Sequence, residues 1–418
     1  MITAVGRLVL LLGLVLALAI MASERLALNR LPPAISPEFL LEPQSSPPWA
    51  GLLAEDIRRT LVLHWRLLAP DAAAARLLQA AEHYPLDAEL WMSLARLAAE
   101  PGGLPDADLA PLLEMATASA PRRGSTHFEA AQMAMLQADF TTADAHLRNH
   151  LAQSPTATRD VLVMASRWHD SQESLVTTLL PANRQSWDQA MRTAWRDSDE
   201  ALAVALWAAR DFSVDLEDSF FLNYIDTLLR SDQAALAAEA WRAHDTHFAD
   251  GGIANGDFGR PLGSSRGFNW RQNMPDGARL FRDPAVFQSS PASLRILFDG
   301  TSNVRLSAPT LQIPVAPNSA YILRGYWRAD SLTTRSLPYL QLRAGRDFDS
   351  QRIDPPETSF EWTPWEMHFQ TTDSTDLVRL SLQRDQSREF DRDISGMLWI
   401  DSLRLERIGD ADPGVNHD

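Results

Sequence analysis

Four groups of residues in this 418-residue chain have side chains suited to chemistry. Gly263-Ser264-Ser265-Arg266-Gly267 fits the G-x-S-x-G spacing of an exposed nucleophilic serine, which requires a strand before it, a helix after it, and an acid and a histidine further on. Pro261 precedes it and strand-like sequence follows, so it reads as a turn. His244-Asp245-x-His247 sets two imidazoles on one helical face without a third ligand nearby, and reads as a polar helix end. Glu357, Glu361 and Glu366 are carboxylates of the kind glycosidases pair across a cleft, but nothing in their spacing creates that pairing, and they read as surface charge. The fourth group differs in kind. Trp270, Trp327, Trp362 and Trp365 lie near Asn269, Arg271, Arg328 and Asp330. Sugar recognition needs this combination: flat apolar rings for C–H faces and planar polar groups for hydroxyls. Alternation assigns some indoles to a core, since Trp327 and Trp399 sit inside strand-like runs. The segment between turns, Phe268-Asn269-Trp270-Arg271, is the better surface candidate. Asn269, Trp270, Arg271, Trp327 and Trp365 are therefore the expected glycan-binding residues. No catalytic residue is assigned, and the chain is expected not to be an enzyme.

Composition narrows the classes further. Hydrophobic residues make up 45% and charged residues 22%, a globular balance. The formal net charge of −16 argues against a nucleic-acid partner, which demands a basic surface. There is no cysteine, which removes disulfides and thiolate metal sites. There is also no lysine, so every fixed basic side chain is arginine, and Schiff-base and phosphate-loop chemistry are excluded.

The elements that must position the candidates follow from pattern. Arg7 precedes an apolar run from Leu8 to Ala22, a signal-anchor pattern just long enough to span a bilayer. Residues 1–23 are expected to be a transmembrane helix in an inner membrane, with the bulk of the chain periplasmic by the positive-inside rule. Residues 24–50 contain Pro32, Pro33, Pro37, Pro43, Pro47 and Pro48 and read as a linker. Residues 51–249 carry helical periodicity with regular Pro and Gly punctuation. After Asp250-Gly251-Gly252 the period changes to two. Eight strand-like runs are expected: 293–298, 304–306, 310–315, 321–328, 339–343, 365–370, 377–383 and 397–406. Short strands between Pro, Gly, Asn and Asp turns predict an antiparallel sandwich over 250–408, with 409–418 a disordered tail. The expected class is multidomain α + β.

Two resemblances add to this reading. Ala73, Leu77, Ala80 and Pro85, then Ala138, Phe140, Ala143, Leu147 and Pro155, with Trp91-Met92-Ser93-Leu94 between them, resemble tetratricopeptide (TPR) repeats. That resemblance implies an α-solenoid whose groove binds a protein partner. Asn255-Gly256-Asp257-Phe258, Gly267-Phe268-Asn269-Trp270-Arg271, Leu294–Gly300, Val315–Tyr321, Leu323–Trp327 and Leu398–Leu405 fall in the order of jelly-roll carbohydrate-binding modules. This second resemblance implies polysaccharide binding, and a structural Ca²⁺ near Asp257 and Asp401. The whole architecture resembles envelope proteins of exopolysaccharide or O-antigen assembly. It implies a scaffold whose partner is a protein of polysaccharide synthesis or export. A glycan-active enzyme and a purely structural envelope protein are the alternatives.

Overall fold

A computed structural model describes residues 84–99, 108–250, 252–289, 291–345 and 347–410, with scattered positions between 74 and 81. The expected anchor, the linker and the start of the helical region lie outside the described residues. Among the described residues no helix is long and apolar enough to cross a membrane.

Ten α-helices come first among the described residues: α1 (Ala88–Ala99), α2 (Leu109–Ser119), α3 (Gly124–Leu136), α4 (Phe140–Gln153), α5 (Thr158–Ala165), α6 (Gln172–Leu179), α7 (Arg184–Asp197), α8 (Glu200–Ala209), α9 (Ser219–Arg230) and α10 (Ala234–His244). Nine strands follow: β1 (Ala278–Asp283), β2 (Ser293–Asp299), β3 (Thr310–Pro314), β4 (Ser319–Asp330), β5 (Tyr339–Arg343), β6 (Gln351–Ile353), β7 (Phe360–Gln370), β8 (Leu377–Gln383) and β9 (Ser395–Asp410). The class is mixed α + β, and the change from helix to strand falls where the period changes.

The contacts divide the chain into two compact units, residues 1–146 and 147–418. The cut falls inside α4. The later helices therefore belong to the same compact unit as the sandwich, rather than to a separate helical domain ending at 249. Within this second unit α5 packs on α7, α6 on α8, α7 on α9, and α10 on β3.

The same local device closes three helical hairpins. Ala138, Ser198 and Asp232 each take a left-handed backbone conformation, with φ of 56°, 54° and 56°. The amide of the next residue then reaches back five positions at 2.9 Å: Asp139 to Ala134, Asp199 to Ala194, Gln233 to Leu228. This geometry satisfies carbonyls that a helix end leaves orphaned. In the first two hairpins an aspartate then caps the next helix. Asp139 accepts from the Thr142 amide at 3.1 Å, and Asp199 from the Leu202 amide at 2.9 Å. In the third hairpin Gln233 gives α10 no side-chain cap. A second device recurs at Pro85–Trp91 and Pro181–Trp187, where the indole N–H donates to the carbonyl of a proline six residues earlier.

The strands form two antiparallel sheets, ordered β1-β2-β9-β4-β7 and β3-β8-β5-β6. Alternation puts Leu294, Ile296, Leu323, Trp327, Leu398 and Ile400 of the first sheet against Leu311, Ile313, Leu340, Leu342, Leu380 and Leu382 of the second, all buried in one cluster. Each such aliphatic side chain contributes about 1.5–3 kcal/mol by leaving water, which is why the period-two pattern fixes the register. Of the eight predicted runs, seven are strands. The run at 304–306 supplies only an isolated bridge, Leu306 to Arg384. Two edge strands, β1 and β6, carry too little alternation to be seen in the sequence. β9 continues through Asp410, two residues into the predicted tail.

Candidate functional site

The Gly267–Arg271 element is a clasp between helices and sandwich. Phe268 is fully buried, with its ring centroid 5.5 Å from Trp241 of α10 and 5.2 Å from Phe248. Gly267 has φ +56°, and a Cβ there would collide with the Trp241 ring. Arg266 donates to Asp226 of α9 at 2.8 Å and to Asn223 at 2.7 Å, while the Gly267 amide donates to Asp226 at 2.8 Å. Asn269 donates to Glu217 at 3.3 Å. Arg271 donates to the Ser265 carbonyl at 3.0 Å and to Gln312 of β3 at 2.7 Å.

This geometry corrects the expected sugar platform. Trp270 is 2% exposed and packs on Phe258, Trp327 is 1% exposed, and Trp365 is 4% exposed. An indole without an open face cannot stack on a sugar, so all three act as core. Asn269 and Arg271 are committed to the clasp and to β3. The two acids of the calcium expectation accept from the protein's own amides. Asp401 is fully buried and its carboxylate accepts from the amides of Gln288 at 2.8 Å, Ser289 at 3.0 Å and Ser402 at 2.6 Å. Asp257 is exposed and accepts from its own turn, the Gly259 amide at 3.1 Å. Calcium takes six to eight oxygens, and these two carboxylates do not make such a set. Among the described residues no group of three or more His, Asp or Glu side chains converges to hold a metal. The remaining sequence candidates resolve locally. Ser265 accepts from the Gln272 amide within a loop, and Asp245 of the histidine cluster pairs with Arg260 at 2.7 Å.

Sequence reading missed the groove that the clasp creates. Its floor is the outer face of the four-stranded sheet: Thr310 and Gln312 of β3, Ser381, Arg379 and Gln383 of β8, and Arg343 of β5. The register places Gln312 beside Arg379, and Arg379 beside Arg343. The opposite wall is the α9–α10 turn, with Leu229, Asp232 and Ala234. This cavity has a volume of about 590 Å³. A second cavity of about 420 Å³ shares Leu229, Gln312 and Arg379 with it and extends to Trp195, Asp226, Arg230 and Arg271. Together they make one elongated groove inside the second unit.

Its lining is polar and planar. Gln312 accepts from Arg271, and Gln383 donates to Ser381 at 2.9 Å. Trp195 of α7 lies at one end, 36% exposed, with the Arg230 and Arg266 guanidinium carbons 5.1 and 5.5 Å from its ring centroid. Arg343 and Arg379 are exposed, and their side chains make no hydrogen bond or ion pair among the described residues. Burial is the largest influence lowering the Arg271 guanidinium below its ordinary value; Asp226 opposes it, and Arg379 and Arg266 add to it. Trp195 escaped notice because it is on a helix, whereas sugar platforms were sought in the strands. The arginine pair escaped because Arg343 and Arg379 are neighbours only through the β5–β8 register.

The fold is thus an antiparallel β-sandwich with the α9–α10 hairpin set against the outer face of one sheet. No family model and no curated protein matches the chain. Solved structures that resemble it include a family 16 carbohydrate-binding module (15% identity, TM-score 0.25, covering 37% of this chain and 99% of that one). Another is a family 61 module in complex with β-1,4-galactotriose (11% identity, TM-score 0.27, covering 38% and 98%). A third is the enzymatically active domain of a tailspike protein from bacteriophage CBA120 (12% identity, TM-score 0.30). That match covers 38% of this chain and only 21% of the tailspike domain.

Proposed function

We propose that this protein is a non-enzymatic glycan-binding scaffold of the cell envelope, and that the groove between the α9–α10 turn and the four-stranded sheet holds the glycan. The observation that carries this reading is the groove's chemistry: an exposed indole, Trp195, at one end of a floor that presents Gln312, Arg379 and Gln383. Rings and planar polar groups in one elongated channel suit a sugar chain better than a small apolar ligand. The clasp holds wall and floor at fixed separation, which lowers the ordering cost of binding.

The helical hairpins supply the second half of the proposal. The turns at 138, 198 and 232, the Pro–Trp device and the α5–α7, α6–α8 and α7–α9 stacking support a TPR-type array that binds a protein of polysaccharide synthesis or export. The Leu8–Ala22 run supports an inner-membrane anchor with the folded units in the periplasm.

Native affinity electrophoresis of the purified chain, in gels carrying neutral and acidic envelope polysaccharides, tests the groove. Retardation on at least one of them is expected. Trp195→Ala and Gln312→Ala should each weaken it several-fold, while Trp362→Ala, away from the groove, should not. Migration unchanged in every gel would sink the reading, and release of glycan fragments by the chain would replace the scaffold with an enzyme.

A further inference from the structure

The groove holds two arginines with which no carboxylate forms an ion pair among the described residues. In a chain of formal net charge −16, Arg343 and Arg379 stand directly opposite each other on one sheet face. Two like charges at that cross-strand position repel. Neither finds a carboxylate among the described residues, whereas several strand arginines of the sandwich do: Arg324 pairs with Glu366 and Glu406, Arg328 with Glu361, and Arg352 with Asp354. Arg271, bridged to the same floor through Gln312, adds to the positive field. Facing this pair, Ala234 at the first position of α10 lines the groove. The positive end of α10 receives no aspartate, unlike α4 and α8, because Gln233 stands where they have Asp139 and Asp199. A helix N-terminus and a paired set of guanidinium groups both favour an anion.

We propose that the ligand of this groove is a polysaccharide bearing carboxylates, with Arg343 and Arg379 holding its acidic groups opposite the first turn of α10. The inference rests on the glycan reading of the groove and narrows it to acidic sugars. Asp232 and Asp376 also line the groove, and neither is ion-paired with these arginines. Two acids among the cations disfavour a densely charged polyanion. They suit a chain whose carboxylates are spaced along a neutral backbone. Arg343 is well placed for such a ligand, since a guanidinium fork matches a carboxylate in two parallel hydrogen bonds.

The decisive probe is a backbone with and without its charge. Hyaluronate, with one carboxylate per disaccharide, and its fully methyl-esterified form present the same sugars, and a glucuronoxylan and a neutral xylan extend the set. The full chain, run by native affinity electrophoresis at 20 and 300 mM NaCl, should be retarded by the carboxylated polymers and not by the ester or the neutral xylan. Retardation should weaken as salt rises. The double variant Arg343→Gln/Arg379→Gln should lose at least tenfold in affinity, while Arg404→Gln, an arginine on the other sheet, should retain it. An Asp at position 233 (Gln233→Asp) should weaken binding about two- to threefold without unfolding the chain, as read by circular dichroism. Equal retardation by acid and ester, unmoved in the double variant, would overturn the charge assignment and keep the glycan groove. Failure of every polymer to retard the chain would overturn both.

Discussion

The outer face of each sheet sets one arginine opposite another, Arg324 and Arg404 on the five-stranded sheet and Arg343 and Arg379 on the four-stranded one, and the two pairs differ in the acids beside them. On the five-stranded sheet Arg324 lies between Glu366 at 2.8 Å and Glu406 at 2.7 Å, and Arg295 pairs with Asp283 at 3.1 Å. The indole of Trp399 donates to the same Asp283 at 2.9 Å, and Arg328 sits over the Trp399 ring. Arg324 and Arg295 thus have acids beside them on their own sheet, whereas Arg404, opposite Arg324, has no ion pair among the described residues. On the four-stranded sheet Gln312, Arg379 and Arg343 run in a row with no acid among them, under a wall of helices. The lesson is that arginine content marks no site by itself. A guanidinium group with its carboxylate already present is surface chemistry, and a pair that lacks one and also lines a groove is where we propose that an outside partner binds.

The largest test of this contrast removes the wall. Phe268→Ala would empty the space between Trp241 and Phe248 and cost about 3–5 kcal/mol, read as a fall in the urea midpoint. A loss under about 1 kcal/mol would mean that the helices are not fastened to the sandwich by this residue. Next comes Asp226→Ala, which leaves Arg266 and the Gly267 amide without their acceptor, for an expected loss of about 2 kcal/mol. It should also reduce glycan retention by loosening the groove.

Acid should act through the five-stranded sheet. The Asp283 carboxyl is raised by burial but lowered more by the Trp399 N–H, the Ala285 and Val286 amides and Arg295 together, so it stays below its ordinary 3.8. Its folded value is thus below its unfolded one. The stability it contributes is complete above pH 3.8 and is lost as pH falls through the lower folded value. Asp283→Asn should flatten the acid limb of a stability–pH curve, and an unchanged limb would show that this cluster does not govern it. The smallest effect sharpens the comparison most. Arg324→Gln should cost up to about 1 kcal/mol, since its two partners are exposed. Arg343→Gln/Arg379→Gln should leave the melting temperature unchanged or raise it slightly, because it relieves repulsion. A clear destabilisation by the double variant would mean that these arginines have a structural role in the unliganded protein.

Much of the fold was legible in the amino-acid order. Leu380-Ser381-Leu382 and Leu403-Arg404-Leu405 alternate because every second side chain must enter the sandwich, and β8 and β9 contain them. Phe220–Arg230 repeats at helical spacing, and α9 spans it almost residue for residue. β6 was not legible, since Gln351-Arg352-Ile353 is a three-residue edge with little to bury. Nor was Arg384 recognisable as core. It is 1% exposed and gives its donors to the Ser336 carbonyl at 2.8 Å and the Arg392 carbonyl at 2.9 Å, partners no periodicity announces.

The sequence determined the elements, their order, the change from helical to strand period after residue 250, and the acidic, cysteine-free and lysine-free composition. Those follow from backbone geometry and from the cost of leaving apolar side chains in water, both of which act locally. Only tertiary structure decided that Trp270, Trp327 and Trp365 are core, that Gly267 and Phe268 fasten helices to sheet, and that Arg343 meets Arg379 without an acid. Periodicity separates one face of an element from the other, but which face a distant element covers, and which charges meet, depends on register and packing between residues far apart in the chain.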